Sequence, residues 1–150
     1  MKMAIRLARK NVQDGKGGPF GAVIVKDGEV VASAMNEVTA TDDPTAHAEM
    51  VAIRQACKSL GSYQLDGCDI YSSCEPCPMC LGAIYWSRPD HVYYAATRKD
   101  AAASGFDDDV IYQEISLPPD QRRIPFQNKM RDEAIEAFKE WDKSDLKINY

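Results

Sequence analysis

No stretch of this 150-residue chain approaches the roughly eighteen uninterrupted apolar residues of a membrane span. Its start, residues 1–12, has positive charges but no continuous apolar run, so it reads as an amphipathic helix rather than a signal peptide. The expected compartment is therefore the cytoplasm, where thiols stay reduced. Positive charge is also in short supply: 18 Lys and Arg stand against 23 Asp and Glu, for a net charge of −5. A protein that grips a duplex or a tRNA normally shows a basic face, so this balance speaks against nucleic acid as a partner. The chain has no repeat, no low-complexity tract and no linker long enough to divide it. Residues 1–150 accordingly read as one domain, and 45% hydrophobic residues suffice for a core. The five cysteines, Cys57, Cys68, Cys74, Cys77 and Cys80, are better read as ligands and core residues than as a disulfide framework.

Apolar periodicity sets out the elements. Ala4, Ile5, Ala8 and Val12 mark one face of an opening helix, which Gly15-Lys16-Gly17-Gly18-Pro19 ends. Residues 20–25 and 30–34 are β-branched runs joined by Lys26-Asp27-Gly28-Glu29, and Asp-Gly between such runs predicts a hairpin. Asp42-Asp43-Pro44-Thr45 predicts the opening of a helix that runs to about Leu60, with Gly61 as its stop. A short strand over 70–73, a helix over 77–87 and a strand over 91–96 follow. This alternation argues for an α/β layer with some parallel pairing. Beyond Ser104 the pattern weakens. Pro118, Pro119 and Pro125 break the chain, and residues 128–143 predict a last amphipathic helix bearing Met130, Ala134, Ala137, Phe138 and Trp141.

The chemistry concentrates in His47-Ala48-Glu49 and Pro76-Cys77-Pro78-Met79-Cys80. A structural zinc ion is usually closed in by four protein ligands, whereas a catalytic one keeps a position open for water. His47, Cys77 and Cys80 provide three ligands, and Glu49 an acid/base beside them. Cys77 and Cys80, at i and i+3, share one face of a first helical turn. The positive end of that helix favours thiolate over thiol. His47 and Glu49, at i and i+2, point to nearly opposite sides of a regular helix. They converge only if the metal lies off the helix end, with His47 at or near the first turn. Two helix N-termini then aim at one ion. Taken singly, each motif has a plainer reading: a helix His is usually structural, and a lone C-x-x-C serves as a redox pair or as half a structural zinc site. Cys74 is open between a fourth ligand that closes the site and a packing residue at a strand end, the latter being the simpler. Cys57 and Cys68 read as core or near-surface thiols.

The combined pattern, H-x-E followed by P-C-x-x-C, is the signature of zinc nucleobase deaminases. More specifically, the chain resembles the bacterial guanine deaminases of the cytidine deaminase-like superfamily. The resemblance runs through Gly17-Gly18-Pro19-Phe20-Gly21-Ala22-Val23, Asn36, Asp43-Pro44-Thr45-Ala46-His47-Ala48-Glu49, Ser73-Cys74-Glu75-Pro76-Cys77-Pro78-Met79-Cys80 and Gly82-Ala83-Ile84-Tyr85-Trp86. It implies a three-layer α/β/α fold around a five-stranded mixed sheet. The implied cofactor is Zn2+ on His47, Cys77 and Cys80. The implied reaction is hydrolysis of free guanine to xanthine and ammonia, with zinc hydroxide attacking C2 and Glu49 shuttling the proton. Gly105-Phe106-Asp107-Asp108-Asp109 resembles the segment in which a carboxylate reads the purine, and Asp108 is the expected reader. An ionised Asp only accepts hydrogen bonds, which suits the N1–H and N2–H edge of guanine. A solvated turn is the plainer reading of three Asp residues. The terminal Tyr150 resembles a closing tail that reaches a neighbouring active site. The resemblance thus implies a homodimer in which about 128–150 is exchanged between subunits.

Shape supplies the remaining candidates. A planar purine wants apolar walls and a few polar groups. Phe20 and Trp86 are the expected walls, and ordinary core packing is their plainer reading. Asn36 can pair with the O6 and N7 side of guanine or cap a turn. Much of the motif set is shared with tRNA adenosine deaminases, so it fixes the chemistry better than the substrate. Deamination of another amino-heterocycle, such as cytosine or a triazine, therefore stays open. Outside catalysis, the alternative is a zinc-stabilised binding module with Cys74 as fourth ligand and a dispensable Glu49.

Overall fold

A computed structural model describes residues 1–148. The chain divides into two compact units, residues 1–108 and 109–150. In the first unit, helix α1 (Lys2–Gln13) precedes strands β1 (Gly21–Lys26) and β2 (Glu29–Met35). A short α2 (Val38–Thr41), α3 (Ala48–Leu60), β3 (Cys68–Cys74), α4 (Pro78–Ser87), β4 (His91–Ala96) and α5 (Arg98–Ala103) follow. The sheet order is β2-β1-β3-β4. β1 pairs antiparallel with β2 and β3, while β3 and β4 run parallel, so the sheet is mixed. The hairpin forms where Asp27-Gly28 predicts it, with φ of 51° and 82° at those residues. Positive φ at both central positions is the type I′ requirement, matched to the twist of the strands.

Strand alternation explains the layers. Even-numbered residues of β1, β2 and β3, namely Ala22, Ile24, Ala32, Ala34, Cys68 and Ile70, join Ala48, Ala52, Ile53 and Ala56 of α3 and Ile84 of α4 in one buried cluster. Alanine at so many facing positions lets α3 lie close on the sheet. The opposite face carries α1: a Cβ on Gly21 would stand 2.5 Å from the carbonyl of Ala4 and 2.8 Å from the backbone nitrogen of Ala8. The result is the expected α/β/α arrangement, with two differences.

The first difference is the strand count: the sheet has four strands among the described residues, not five. β4 is one of its two edges, with Tyr93 and Tyr94 exposed. The chain beyond it enters a helix at once, because Thr97 and Asp100 form a reciprocal capping box at the start of α5. Pro118, Pro119 and Pro125 then withhold the backbone donors that a further strand needs. The second difference lies before His47. Asp43 does not open a helix; its carboxylate accepts the Thr45 N–H at 2.8 Å and the Thr45 hydroxyl at 2.7 Å, making a tight turn. The helix therefore starts at Ala48 rather than near Thr45.

The second unit holds α6 (Asp109–Ile115), a 3-10 turn (Pro119–Gln121) and α7 (Arg131–Lys143), and no residue of α6 or α7 is buried. It has its own apolar cleft of about 600 Å³, lined in part by Ile111, Ile115, Ile124 and Phe126. Tyr150, expected to close a neighbouring site, lies outside the described residues. No helix among the described residues is long and apolar enough to cross a membrane.

Candidate metal and substrate site

The site grows from two helix starts. His47 is the N-cap of α3, with extended backbone (φ −64°, ψ 154°). Cys77 is the N-cap of α4, likewise extended (φ −65°, ψ 168°), and Pro78 opens that helix. An N-cap residue lies off the helical path, so His47 and Glu49 escape the opposition that i and i+2 would impose inside a helix. Cys80 sits one turn into α4 on its buried side. The geometry brings the three predicted ligands together: His47 Nδ1 is 3.4 Å from Cys77 Sγ and 3.5 Å from Cys80 Sγ. Their ligand atoms all lie within 4.8 Å of one another.

Electrostatics fit a cation. Hydrogen bonding from Cys80, and after it from His47, takes the Cys77 thiol down to about 4 against the cost of burial. Cys80 moves the other way, because its bond to charged Cys77 and its burial hold its proton. His47 is raised by its bond to Cys77. One imidazole and two sulfurs are a zinc donor set with a position to spare. Cys74 is not in the cluster. Its thiol donates to the Thr97 carbonyl at 3.6 Å, and burial pushes it up to about 11. It is a packing residue.

Glu49, in the first turn of α3, is buried at 5% exposure. Its Oε2 lies 3.5 Å from Cys80 Sγ, and its Oε1 accepts the Ser72 hydroxyl at 2.8 Å. Burial raises its pKa, opposed by its own backbone N–H and by Ser72. Asp108 is half-buried, and its carboxyl is raised by burial and then by the charge on Cys77. Phe20 packs partly on the core and meets Phe106 edge-on, with centroids 4.9 Å apart. Asn36 is buried; its Oδ1 accepts the Val38 N–H at 3.4 Å and its carbonyl accepts Asn11 Nδ2 at 2.8 Å. The turn-capping role is thus present in part. Trp86, the other expected wall, is the penultimate residue of its helix. It stands 65% exposed on α4, off the side that buries Cys80, Ile84 and Ser87.

Three residues escaped sequence reasoning. Asn11 clamps the 15–20 loop, donating also to the Gly18 carbonyl at 2.9 Å. Its signal was a polar residue on the Ala4–Ala8 stripe. Ser72 falls at an inward-facing strand position beside Ile70, where an apolar residue is the norm. Phe106 was passed over in favour of the acidic residues after it.

The cytidine and deoxycytidylate deaminase zinc-binding region matches residues 1–96 of the chain. The chain belongs to this deaminase family. Among its relatives, guanine deaminase of Bacillus subtilis is 58% identical over 141 residues, spanning 94% of this chain and 90% of the relative. The X-ray structure of that Bacillus subtilis guanine deaminase superposes with a TM-score of 0.97 at 56% identity, covering 99% of this chain and 95% of that one. A tRNA-specific adenosine deaminase of Aquifex aeolicus is 44% identical over 99 residues, 66% of this chain and 65% of the relative. Membership of this deaminase family gives the His47–Cys77–Cys80 cluster a setting in which zinc is the fitting ion.

Proposed function

We propose that this chain is a zinc-dependent guanine deaminase, hydrolysing free guanine to xanthine and ammonia. The observation that carries the reading is the placement of the Glu49 carboxylate against a three-donor cluster of His47, Cys77 and Cys80. The extent of likeness to a guanine deaminase, 94% of this chain against 66% for the tRNA-specific relative, supports the substrate.

His47 Nδ1, Cys77 Sγ and Cys80 Sγ would hold the zinc. When bound, zinc polarises a water and brings its pKa toward neutrality. Glu49 does the proton work. It accepts a proton from the water that adds at C2 and passes it to N3 of the ring; it then takes the proton of the new C2 hydroxyl and delivers it to the amine, so that C2=O forms as the C–N bond breaks and ammonia leaves. Its burial raises its pKa, which suits a group that must hold and release a proton. Asp108 accepts the N1–H and N2–H donors of guanine, the Asn36 amide meets the O6 and N7 side, and Phe20 supplies an apolar wall. Cytosine and triazine substrates have no specific contact here that favours them. A closed four-ligand module is disfavoured by the Cys74 thiol bonding to Thr97 instead.

The working form we propose is a cytoplasmic homodimer in which residues of about 128–150 are exchanged. Its support is the exposed apolar surface of the second unit, where Ile115, Ile124 and Phe138 stand at 61%, 71% and 70% exposure. Sedimentation should give twice the chain mass. The deciding assay is ammonia release from the zinc-loaded protein given guanine, adenine, cytosine or a tRNA anticodon stem-loop. Xanthine appearing in step with ammonia from guanine is the expected result. Release from another substrate alone would overturn the assignment.

A further inference from the structure

We infer that Ser72 is a positioning residue for deamination, clamping one oxygen of Glu49 so that the other faces the His47–Cys77–Cys80 cluster. Glu49 springs from the first turn of α3 on a side chain with several rotatable bonds, and the helix itself supplies its carboxylate only the Glu49 backbone N–H. A second restraint comes from a separate element. Ser72 lies on β3, an inner strand held by Ala22 of β1 on one side and Tyr94 of β4 on the other. It is 1% exposed. Its Oγ donates to Glu49 Oε1 at 2.8 Å. A hydroxyl has one proton to give and two lone pairs to accept with. The Cys74 N–H, 3.4 Å from the same oxygen, occupies the accepting side. The single proton is thereby aimed at the carboxylate. With Oε1 held, Oε2 is left 3.5 Å from Cys80 Sγ, on the side where the reaction takes place.

Alternation along β3 separates this role from ordinary packing. The neighbouring Ser73 faces the other side of the sheet, where its Oγ accepts the Gly21 N–H at 3.0 Å and ties two strands together. Ser72 instead occupies a position in register with Cys68 and Ile70, where a hydrophobic residue would bury more apolar surface. Its hydroxyl spans from the sheet to the one buried carboxylate of the site. This assignment rests on Glu49 as the proton carrier, but not on guanine as the substrate.

The test compares wild type, Ser72→Ala, Ser72→Thr and Glu49→Gln, each zinc-loaded and checked for zinc content and melting temperature. Loss of a supporting hydrogen bond behind a metal site typically costs about 10–100-fold in activity. Ser72→Ala should lower kcat by that factor with KM and zinc content unchanged, and Ser72→Thr should restore it. A second readout needs no turnover. The Glu49 carboxylate stretch, isolated as the infrared difference from Glu49→Gln, should shift in Ser72→Ala and return in Ser72→Thr. An unmoved band with wild-type kcat in Ser72→Ala would overturn the assignment. So would a kcat loss that tracks a lowered melting temperature and that Thr does not restore, or full turnover by Glu49→Gln. Should wild type release ammonia only from another amino-heterocycle, the guanine reading fails. The same kcat loss on that substrate, with the band shift, would still uphold Ser72.

Discussion

His47 and Cys77, thirty residues apart in sequence, meet with Nδ1 and Sγ 3.4 Å apart because each caps a different helix. The same nitrogen reaches Cys80 at 3.5 Å, so all three donors depend on one another. Removing any one leaves two ligands, too few for a tight site. Zinc analysis by atomic emission should find about one ion per chain in wild type and essentially none in His47→Ala, Cys77→Ala or Cys80→Ala. Cys74→Ala should keep its zinc. Loss of metal in that variant would mean a closed four-ligand centre and a different protein from the one proposed.

Glu49→Gln keeps the volume and the buried location but removes the proton-carrying oxygen. Proton relay by a placed carboxylate is worth about 10²–10⁴-fold. Steady-state turnover should fall by that factor with zinc content and melting temperature preserved. Retention of more than about a tenth of wild-type kcat would place the proton transfer elsewhere.

Asp108 tests the substrate rather than the chemistry. A hydrogen bond to a charged partner is worth about 1.5–3 kcal/mol, which converts to roughly 10- to 100-fold in specificity. Asp108→Ala should lose kcat/KM for guanine by about that much, with zinc intact and any slow ammonia release from cytosine unaltered. Unchanged guanine kinetics would reduce Asp108 to a solvated turn.

Gly17 is fixed by what surrounds it. A Cβ there would stand 2.5 Å from the Asn36 carbonyl oxygen and 2.9 Å from Asn11 Nδ2, neither of them a floppy chain end. Gly17→Ala must therefore displace Asn36 or part the Asn11 clamp. Overpacking of this kind costs about 1–3 kcal/mol. The urea midpoint should fall accordingly and KM for guanine should rise. A variant with both unchanged would show that the 15–20 loop is free to move.

The sequence made this much legible because its signals were local. Alternation and Asp27-Gly28 defined the hairpin, and the periodicity over 91–96 matched β4. The conflict between His47 and Glu49 at i and i+2 required His47 to lie at or near a helix start, and it is the N-cap of α3. The His47, Cys77 and Cys80 cluster was legible for a further reason: zinc demands few residue types at narrow spacings, and the three donor atoms meet within 4.8 Å. What failed depended on competition between local choices or on distant partners. Asp43 could cap a helix or make a turn, and its two bonds to Thr45 decided for the turn. Whether a fifth strand followed β4 depended on the Thr97–Asp100 box, a helix signal in a stretch whose apolar pattern was weak. Ser72 and Asn11 were invisible as site residues because their partners lie 23 and 25 residues away.

The same Asp43 turn ties the site to acid stability. The Thr45 hydroxyl and then its backbone N–H hold the Asp43 carboxyl below its ordinary value, and Thr97 does the same for Asp100. A carboxylate with a depressed folded pKa stabilises the fold fully above its unfolded value of about 3.9, and that contribution is lost as pH falls through the folded value. Each group's contribution therefore begins to fade near about pH 4 and is gone once pH is below its folded value. Asp43→Ala removes the bonds in either case, so the variant should melt below wild type at neutral pH and approach it as the solution is acidified to about pH 3. Melting curves across that range on metal-free protein read the difference directly. A gap between variant and wild type that stays constant from neutral pH to pH 3 would mean that the Asp43–Thr45 bonds do not respond to ionisation. The turn leading into His47 would then owe its shape to Pro44 and the backbone bond from Ala46 N–H to the Asp43 carbonyl.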